Sequence, residues 1–231
     1  MRDKQRKKGI FKRFSDSRFA WDVIQGPVYN RLIGGATLEL YDRFVDSVSP
    51  PEGSRLLDIG CGPGHICLML AEKHHAVSIV GVDYSPTQVR AANRLREKRG
   101  ITNCEFVRGD AMGLPFEDAS FDTVISFASI KHWPDEGQGL EEVRRVLVPG
   151  GSALIEEADS AADYEDLQRF YRRFNAWWVY GRLMDLYLNS VVFGRSISME
   201  EAESLARASG FADVSVERVE GWPMFLLRLT R

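Results

Sequence analysis

From residue 55 onward, short apolar runs alternate with longer segments whose apolar positions recur with a helical period. The runs are rich in Val, Ile and Leu and nearly continuously apolar, which is typical of parallel strands buried on both faces. Five runs of this kind are predicted to be strands, at residues 55–59, 78–82, 104–107, 122–126 and 152–155. Alternation of such strands with helices predicts an α/β fold built on a parallel sheet.

The segments between these strands are predicted to be helices, at about residues 64–73, 86–99 and 136–147. A further helix is predicted at about residues 199–209, because Ser198 and Glu201 have the spacing of a capping box and Gly210 is a natural stop. The chain then closes with two runs of alternating polarity, at residues 213–217 and 225–230. This alternation predicts an antiparallel hairpin.

The length of 231 residues and the hydrophobic fraction of 44% suffice for one enlarged domain with a substantial core. Residues 1–18 are predicted to be a basic, flexible tail and residues 19–231 a single domain. Within that domain, residues 19–50 are predicted to form N-terminal helices. Residues 160–195, which are rich in Trp, Tyr, Phe and Arg, are predicted to form a helical insertion after the fifth strand.

Charge is distributed unevenly along the chain. The formal net charge of −3 and the sequence pI of 5.9 argue against nucleic-acid binding by the body of the protein, because neutralising phosphates requires a basic face. Residues 1–13, in contrast, carry seven Lys or Arg against one Asp. A solvated tail, docking to RNA and peripheral contact with a membrane surface are all open for this segment.

Cysteine usage and hydropathy predict a cytoplasmic setting. The chain has three cysteines, an odd number with no C-x-x-C spacing, and its first residues do not resemble the apolar core of a signal peptide. The longest unbroken apolar stretch, residues 66–71, is far shorter than the roughly 20 residues of a membrane-spanning helix. No metal site is predicted, because the adjacent His74 and His75 are better explained by favourable interaction with a helix C-terminus.

Residues 56–64 read LLDIGCGPG, so an apolar strand contains Asp58 near its end and is followed by glycines at every second position. Glycine permits positive φ and close approach of a ligand to the backbone. The turn is predicted at the carboxyl edge of the sheet, where ligands bind in open α/β folds, which favours a nucleotide-like ligand. The dinucleotide fingerprint is not met, because His65 stands at its third glycine position. The anionic Asp58 would also repel a pyrophosphate.

The segment DIGCGPG after an apolar strand resembles the first motif of class I methyltransferases that use S-adenosylmethionine. Further segments match this family in the same order: VGVDYS with Asp83, GDAMGLPF with Asp110, and FDTVISF followed by VLVPGG at residues 146–151. Together they cover about residues 56–155. The resemblance implies a Rossmann-like, seven-stranded, mostly parallel sheet with an antiparallel last strand. It also implies an enzyme whose cofactor is S-adenosyl-L-methionine and whose product is S-adenosyl-L-homocysteine.

The resemblance assigns the motif residues roles toward the cofactor. Asp83 would accept hydrogen bonds from both ribose hydroxyls, Asp110 would accept one from the adenine amino group, and Asp58 would support the amino end of the methionine moiety. Tyr84 and Met112 would pack on opposite faces of the adenine. The remaining predicted cofactor contacts are Gly60, Cys61, Gly62, Gly64, Ala111, Ser126 and Tyr29.

The acceptor side is predicted beyond the fourth strand, in the sequence SIKHW. His132 is either a general base there, since histidine titrates near neutral pH, or a structural residue. Residues 160–195 resemble the helical cap insertion that many of these enzymes place over the acceptor, with core packing as the alternative. Because arginines interleave with aromatic residues in this segment, a small-molecule acceptor of aromatic or acidic character is expected.

Three functions are compatible with these motifs. The first is methyl transfer to a small molecule by in-line displacement, similar to the quinone-type and secondary-metabolite enzymes. The second is methylation of RNA or protein docked by the basic N-terminus, although the N-P-P-Y signature of amino-group methylation is absent, because the fourth strand ends in SFAS. The third is a non-catalytic module that binds S-adenosylmethionine. Neither the acceptor nor the oligomeric state can be read from the sequence.

Overall fold

A computed structural model describes residues 34–172 and 196–231 of the chain. Several predicted features lie outside these residues: the basic tail, the first part of the N-terminal helices, Tyr29, and most of the helical cap insertion. The described residues contain the complete predicted series of strands and all of the motifs at residues 56–155.

Seven strands form one sheet with the order β3-β2-β1-β4-β5-β7-β6. Neighbours among β1 to β5 pair in parallel, whereas β7 runs antiparallel to both β5 and β6. This topology confirms the Rossmann-like sheet and its antiparallel last strand. The strands are β1 (Arg55–Ile59), β2 (Ser78–Asp83), β3 (Cys104–Arg108), β4 (Phe121–Phe127), β5 (Leu147–Ala158), β6 (Asp213–Arg218) and β7 (Met224–Thr230).

Two of the predicted helices have the capping residues that their sequences indicate. The Ser85 side chain caps the helix that begins at Pro86, and Gly100 ends it in the left-handed conformation. Ser198 and Glu201 make both hydrogen bonds of a capping box. The described helices are α1 (Gly34–Ser47), α2 (His65–Lys73), α3 (Pro86–Arg99), α4 (Glu136–Val146), α5 (Tyr164–Arg172) and α6 (Met199–Ala208).

The helices cover both faces of the sheet and enclose two apolar clusters. One cluster contains side chains from α1, α2, α3 and α5, including Phe44 and Leu70. The other contains side chains from α4 and α6, including Val143 and Ala206. Because strands β1 to β5 are parallel, their carboxyl ends all meet at one edge of the sheet, and every motif predicted to bind the cofactor follows a strand at that edge.

One strand begins well before the start that its sequence pattern predicts, whereas β2, β3 and β4 exceed their predicted bounds by only one or two residues. β5 begins at Leu147 rather than residue 152, and Phe121 pairs with Leu147 before the register shifts toward the pairing of Thr123 with Ser152. The sequence Pro-Gly-Gly-Ser at residues 149–152 concealed this extension, because it interrupts the apolar run. Among the described helices, the longest have 14 residues, and none is long and apolar enough to cross a membrane.

Candidate functional site

The glycine turn after β1 is fastened to the end of β2 by backbone groups. The amides of Gly60 and Cys61 both donate to the Val82 carbonyl, at 2.8 and 3.1 Å. The Gly62 amide donates to Oδ2 of Asp83 at 2.9 Å. The first two strands therefore present their carboxyl ends as one connected surface, as the motif order predicts.

The three glycines of the turn meet different surroundings, although each has a positive φ. A Cβ added at Gly60 would lie 1.9 Å from Oγ of Ser129, and one added at Gly64 would lie 2.5 Å from the Phe106 ring. A Cβ added at Gly62 would meet no atom within 4 Å. Protein atoms thus occupy the space beside two of the glycines, and only the space beside Gly62 is open to a ligand.

Asp83 joins the glycine turn to the start of α3 through its carboxylate oxygens. In addition to the bond from Gly62, its Oδ1 accepts a hydrogen bond from the Ser85 amide at 2.8 Å. These two backbone donors fix the carboxylate between the glycine turn and the start of α3. Asp83 is half-buried at the strand end, whereas the adjacent Tyr84 is 53% exposed and lies beside the Arg108 guanidinium.

The segment after β3 forms a compact turn at the same edge. Asp110 is exposed, and its Oδ1 accepts a hydrogen bond from the Met112 amide at 3.0 Å. Gln138 of α4 donates to the Met112 carbonyl at 2.7 Å, and Glu142 of α4 accepts from the Leu114 amide at 2.7 Å. Ala111 and Met112 are partly buried against the second apolar cluster. The turn is therefore held by α4 as well as by its own Asp.

Asp58 lies beneath the glycine turn rather than on its surface. It is 2% exposed, and its Oδ2 accepts a hydrogen bond from the Cys67 thiol at 3.1 Å. Burial raises the pKa of Asp58 from 3.8 to about 7, the Cys67 bond opposes this change, and the charge of Asp83 adds to it. Any support that Asp58 gives to a bound ligand therefore acts from below the turn.

The three cysteines, all free thiols, lie around this buried acid. The Cys67 thiol donates to Oδ2 of Asp58, and the Cys61 and Cys104 thiols lie close enough to Cys67 to add to the rise of its pKa. Burial raises the pKa of Cys61 to about 11 and that of Cys67 well above 9.0. Thiols with such pKa values are poor nucleophiles near neutral pH, which agrees with the absence of any sequence signal for a catalytic cysteine. Within the described ranges, no group of three or more His, Cys, Asp or Glu could hold a metal ion.

Helix α1 contributes aromatic residues that the sequence motifs did not indicate. The Tyr41 ring stacks on His65 of α2, with centroids 6.1 Å apart, and meets Phe127 of β4 edge-on at 5.5 Å. Burial and the charge of Asp58 raise the pKa of Tyr41 to about 12. The phenol is therefore close enough to Asp58 to sense its charge, and it stays neutral throughout the physiological range.

The loop after β4 carries the predicted acceptor-side residue His132 in a short 3-10 turn, Ile130–His132. Ser129 packs on Gly60 of the glycine turn and accepts a hydrogen bond from Nε1 of Trp133 at 3.2 Å. Ser126 is fully buried, and its hydroxyl donates to the Ile59 carbonyl at 2.9 Å. This hydrogen bond of Ser126 joins β4 to β1, and the contact of Ser126 with a cofactor stays a prediction.

Two successive buried acids end β5, and sequence analysis did not single them out. Glu156 pairs with Arg43 of α1, and Glu157 pairs with Lys131 of the loop after β4 at 2.7 Å. Both glutamates have fully buried side chains. The sequence feature that could have revealed them is a pair of acids at the end of an apolar strand. Burial of these two carboxylates destabilises the fold unless cations from elsewhere in the chain neutralise them.

An open glycine turn, flanked by acids on two neighbouring strand ends of a doubly wound sheet, defines an α/β protein with a small-ligand site at the carboxyl edge. A family model described as a methyltransferase domain matches residues 51–192, and the chain belongs to that family. This match confirms the resemblance that the motifs indicated, to class I S-adenosylmethionine-dependent methyltransferases.

Relatives and solved structures agree with this assignment. The chain is 36% identical over 129 residues to a demethylmenaquinone methyltransferase of Thermus thermophilus, covering 55% of this chain and 58% of the relative. It is 39% identical over 121 residues to the 27-O-demethylrifamycin SV methyltransferase of Amycolatopsis mediterranei, covering 52% and 44%. The matched part thus spans about half the length of these relatives. A methyltransferase structure from Aquifex aeolicus has the same fold, with a TM-score of 0.65 at 17% identity and coverage of 82% and 88%.

Proposed function

We propose that the protein transfers a methyl group from S-adenosylmethionine to a small-molecule acceptor. The observation that carries this proposal is the convergence of the motif segments that end β1 to β4 at one sheet edge, around Gly62, the glycine of the turn whose neighbouring space is open. The relatives support the acceptor class, because their names denote methylation of demethylated small molecules.

The residues at the edge fit the cofactor. The Asp83 carboxylate ends β2 at this edge, where it can accept hydrogen bonds from ribose hydroxyls, and the exposed Asp110 can accept one from an adenine amino group. The exposed Tyr84 ring offers an apolar surface for the base. A positively charged methionine end would favour the ionised form of Asp58 beneath the turn, since opposite charges lower the pKa of a carboxyl group.

S-adenosylmethionine supplies a methyl group that a positively charged sulfur has made electrophilic. The chain's own residues then have to hold the acceptor in line and exclude water, a contribution worth roughly 7 to 11 kcal/mol in well-aligned systems. We assign His132 as the group that takes the acceptor's proton where the acceptor is not already anionic, because it lies beyond the end of β4. The pH dependence of turnover would report such a base.

The acceptor is expected to be aromatic or acidic, and the three free thiols suit a reducing, cytoplasmic compartment.

Calorimetric binding of S-adenosylhomocysteine to matched variants tests the cofactor site. Asp83→Ala is expected to lower affinity at least about tenfold, because it removes two charge-assisted acceptors. Asp213→Ala, at an exposed position on the edge strand β6, serves as the control and should leave affinity unchanged. Equal affinity in both variants would refute the assignment of the site.

Screening demethylated quinones and phenols for formation of S-adenosylhomocysteine then identifies the acceptor.

A further inference from the structure

The loop after β4 is held by an unusually complete set of buried polar contacts. Lys131 is 5% exposed, and its Nζ donates to Oε1 of Glu157 and to the Ala128 carbonyl, both at 2.7 Å. The Lys131 backbone amide donates to Oε2 of the same glutamate at 3.2 Å. Side chain and backbone of one loop residue are thus bound by the two oxygens of a single carboxylate.

Glu157 itself is fixed by strand β5 and by a distant segment. Its Oε1 accepts from the Ala158 amide at 2.7 Å and from the Ser196 hydroxyl at 3.4 Å. Ser196 lies just before α6, where the chain re-enters the described part of the structure. One carboxylate therefore connects the end of β5, the loop after β4 and the segment that leads into α6.

The loop conformation that these contacts hold is strained. Ala128 has a φ of 53°, a region that residues other than glycine rarely adopt. Its amide donates to the Glu156 carbonyl at 2.8 Å, and its carbonyl accepts from Lys131. Such a backbone conformation persists only where its surroundings determine it fully, and it occurs preferentially at functional sites.

The loop after β4 packs against the glycine turn and against α4. Ser129 fills the space beside Gly60, and Trp133 packs on Gly139 of α4, where an added Cβ would lie 2.2 Å from its ring. A shift of the loop would therefore move His132 relative to the turn that we assign to the cofactor. Apolar residues of similar size would stabilise a buried site as well as an ion pair does, so stability alone does not explain the charges.

We propose that the buried Lys131–Glu157 pair is a positioning device for methyl transfer: it fixes the loop that carries His132 against the glycine turn, and thereby sets the acceptor against the donor. This inference rests on the proposed function. Lys131 and Glu157 are positioning residues, since they act through the loop and not on the reacting atoms. Disrupting the pair should therefore reduce turnover while leaving donor binding intact.

Hydrogen exchange and kinetics of the full chain test the proposal. In Lys131→Met, exchange of amides in residues 128–133 is expected to accelerate at least about tenfold while exchange in β1 and β4 is unchanged. The turnover number on an acceptor found by the screen should fall at least about tenfold, with the donor KM and the calorimetric affinity for S-adenosylhomocysteine within about twofold of wild type. Lys73→Met, in an exposed ion pair between α1 and α2, is the matched control and should change none of these.

A second variant tests the proposal if Lys131→Met fails to fold. Lys131→Met/Glu157→Leu removes both charges together and is expected to fold, but to show the same fast loop exchange and low turnover number. Wild-type loop exchange and turnover in this double variant would overturn the proposal, as would a loss of donor affinity parallel to the loss of turnover. If wild type turns over no acceptor in the screen, the proposed function fails, whereas the exchange measurements still decide whether the pair holds the loop.

Discussion

Ser129 packs so closely on Gly60 that an added methyl group would lie 1.9 Å from its Oγ, whereas the same group at Gly62 would meet nothing within 4 Å. Both positions have a positive φ, at 74° and 53°. Any side chain is therefore strained at either position, but only Gly60 has a steric reason supplied by the protein itself. No described protein atom fills the space beside Gly62, and the proposed function assigns that space to the cofactor.

This difference predicts that alanine at Gly60 mainly reduces stability, whereas alanine at Gly62 mainly reduces cofactor affinity. Gly60→Ala is expected to destabilise the fold by about 2 kcal/mol or more, because backbone strain and the clash with Ser129 add. Gly62→Ala should cost only about 1 kcal/mol of strain, yet lower the affinity for S-adenosylhomocysteine at least about tenfold. Denaturant unfolding and calorimetry measure the two quantities. A Gly62→Ala variant with wild-type affinity would contradict the proposed position of the cofactor.

At the scale of elements, helix α1 is joined to the sheet by charge as well as by apolar packing. Its Phe44 belongs to the first apolar cluster, and its Arg43 pairs with Glu156 at the end of β5. The Arg43 side chain is 31% exposed, whereas that of Glu156 is fully buried. Burial raises the pKa of Glu156 to about 7 even though the Arg43 charge opposes the change. The pair therefore connects α1, with its Tyr41, to the carboxyl edge.

Removing the cation should loosen this connection. Arg43→Met is expected to destabilise the protein by about 2 kcal/mol, less than the loss of a partner from a fully buried pair, because Arg43 is partly solvated. The loss should be greater at pH 8 than at pH 6, since removing Arg43 raises the pKa of the buried Glu156 further above about 7, and this additional rise reduces stability only where the pH exceeds about 7. Denaturant unfolding at the two pH values measures this. Lys73→Met, in the exposed pair with Asp46, should cost less than about 1 kcal/mol at both.

At the scale of the whole molecule, two buried carboxyl groups with raised pKa values make stability depend on pH. Asp58 keeps its proton in the folded state up to about pH 7 but loses it near 3.8 when unfolded, and Glu156 behaves similarly, between 4.5 and about 7. Between these limits the folded state binds more protons than the unfolded state. The stabilisation that these groups contribute is therefore complete below the unfolded pKa values and is lost as the pH rises through about 7.

The free energy of unfolding is accordingly expected to fall between about pH 4.5 and pH 7.5. Asp58→Asn retains the shape of the side chain and removes its titration, so it should gain stability relative to wild type as the pH rises from below 3.8 to above about 7, by about 4 kcal/mol in total. Urea unfolding at a series of pH values tests this. Parallel pH profiles for wild type and variant would show that Asp58 titrates normally.

Prediction from sequence succeeded where a short segment determines its own structure. Strand β1 at Arg55–Ile59 and helix α3 at Pro86–Arg99 have the predicted bounds, because an apolar run, a Ser-Pro start and a terminal glycine act locally. The motif residues Asp83 and Asp110 likewise lie at the predicted edge. The start of β5 was missed, because its first pairing, of Leu147 with Phe121, depends on an irregular register with another strand.

The sequence by itself determined the alternation of strands and helices, the glycine turn and the acids at successive strand ends, since these depend on residue period, backbone freedom and capping within a few residues. Tertiary structure alone decided which protein atoms fill the space beside each glycine, and which cations neutralise the acids that end β5. Arg43 and Glu156 are 113 positions apart, and Lys131 and Glu157 are 26 apart. Such contacts leave no local pattern, because packing across the sheet and burial of the charges create them.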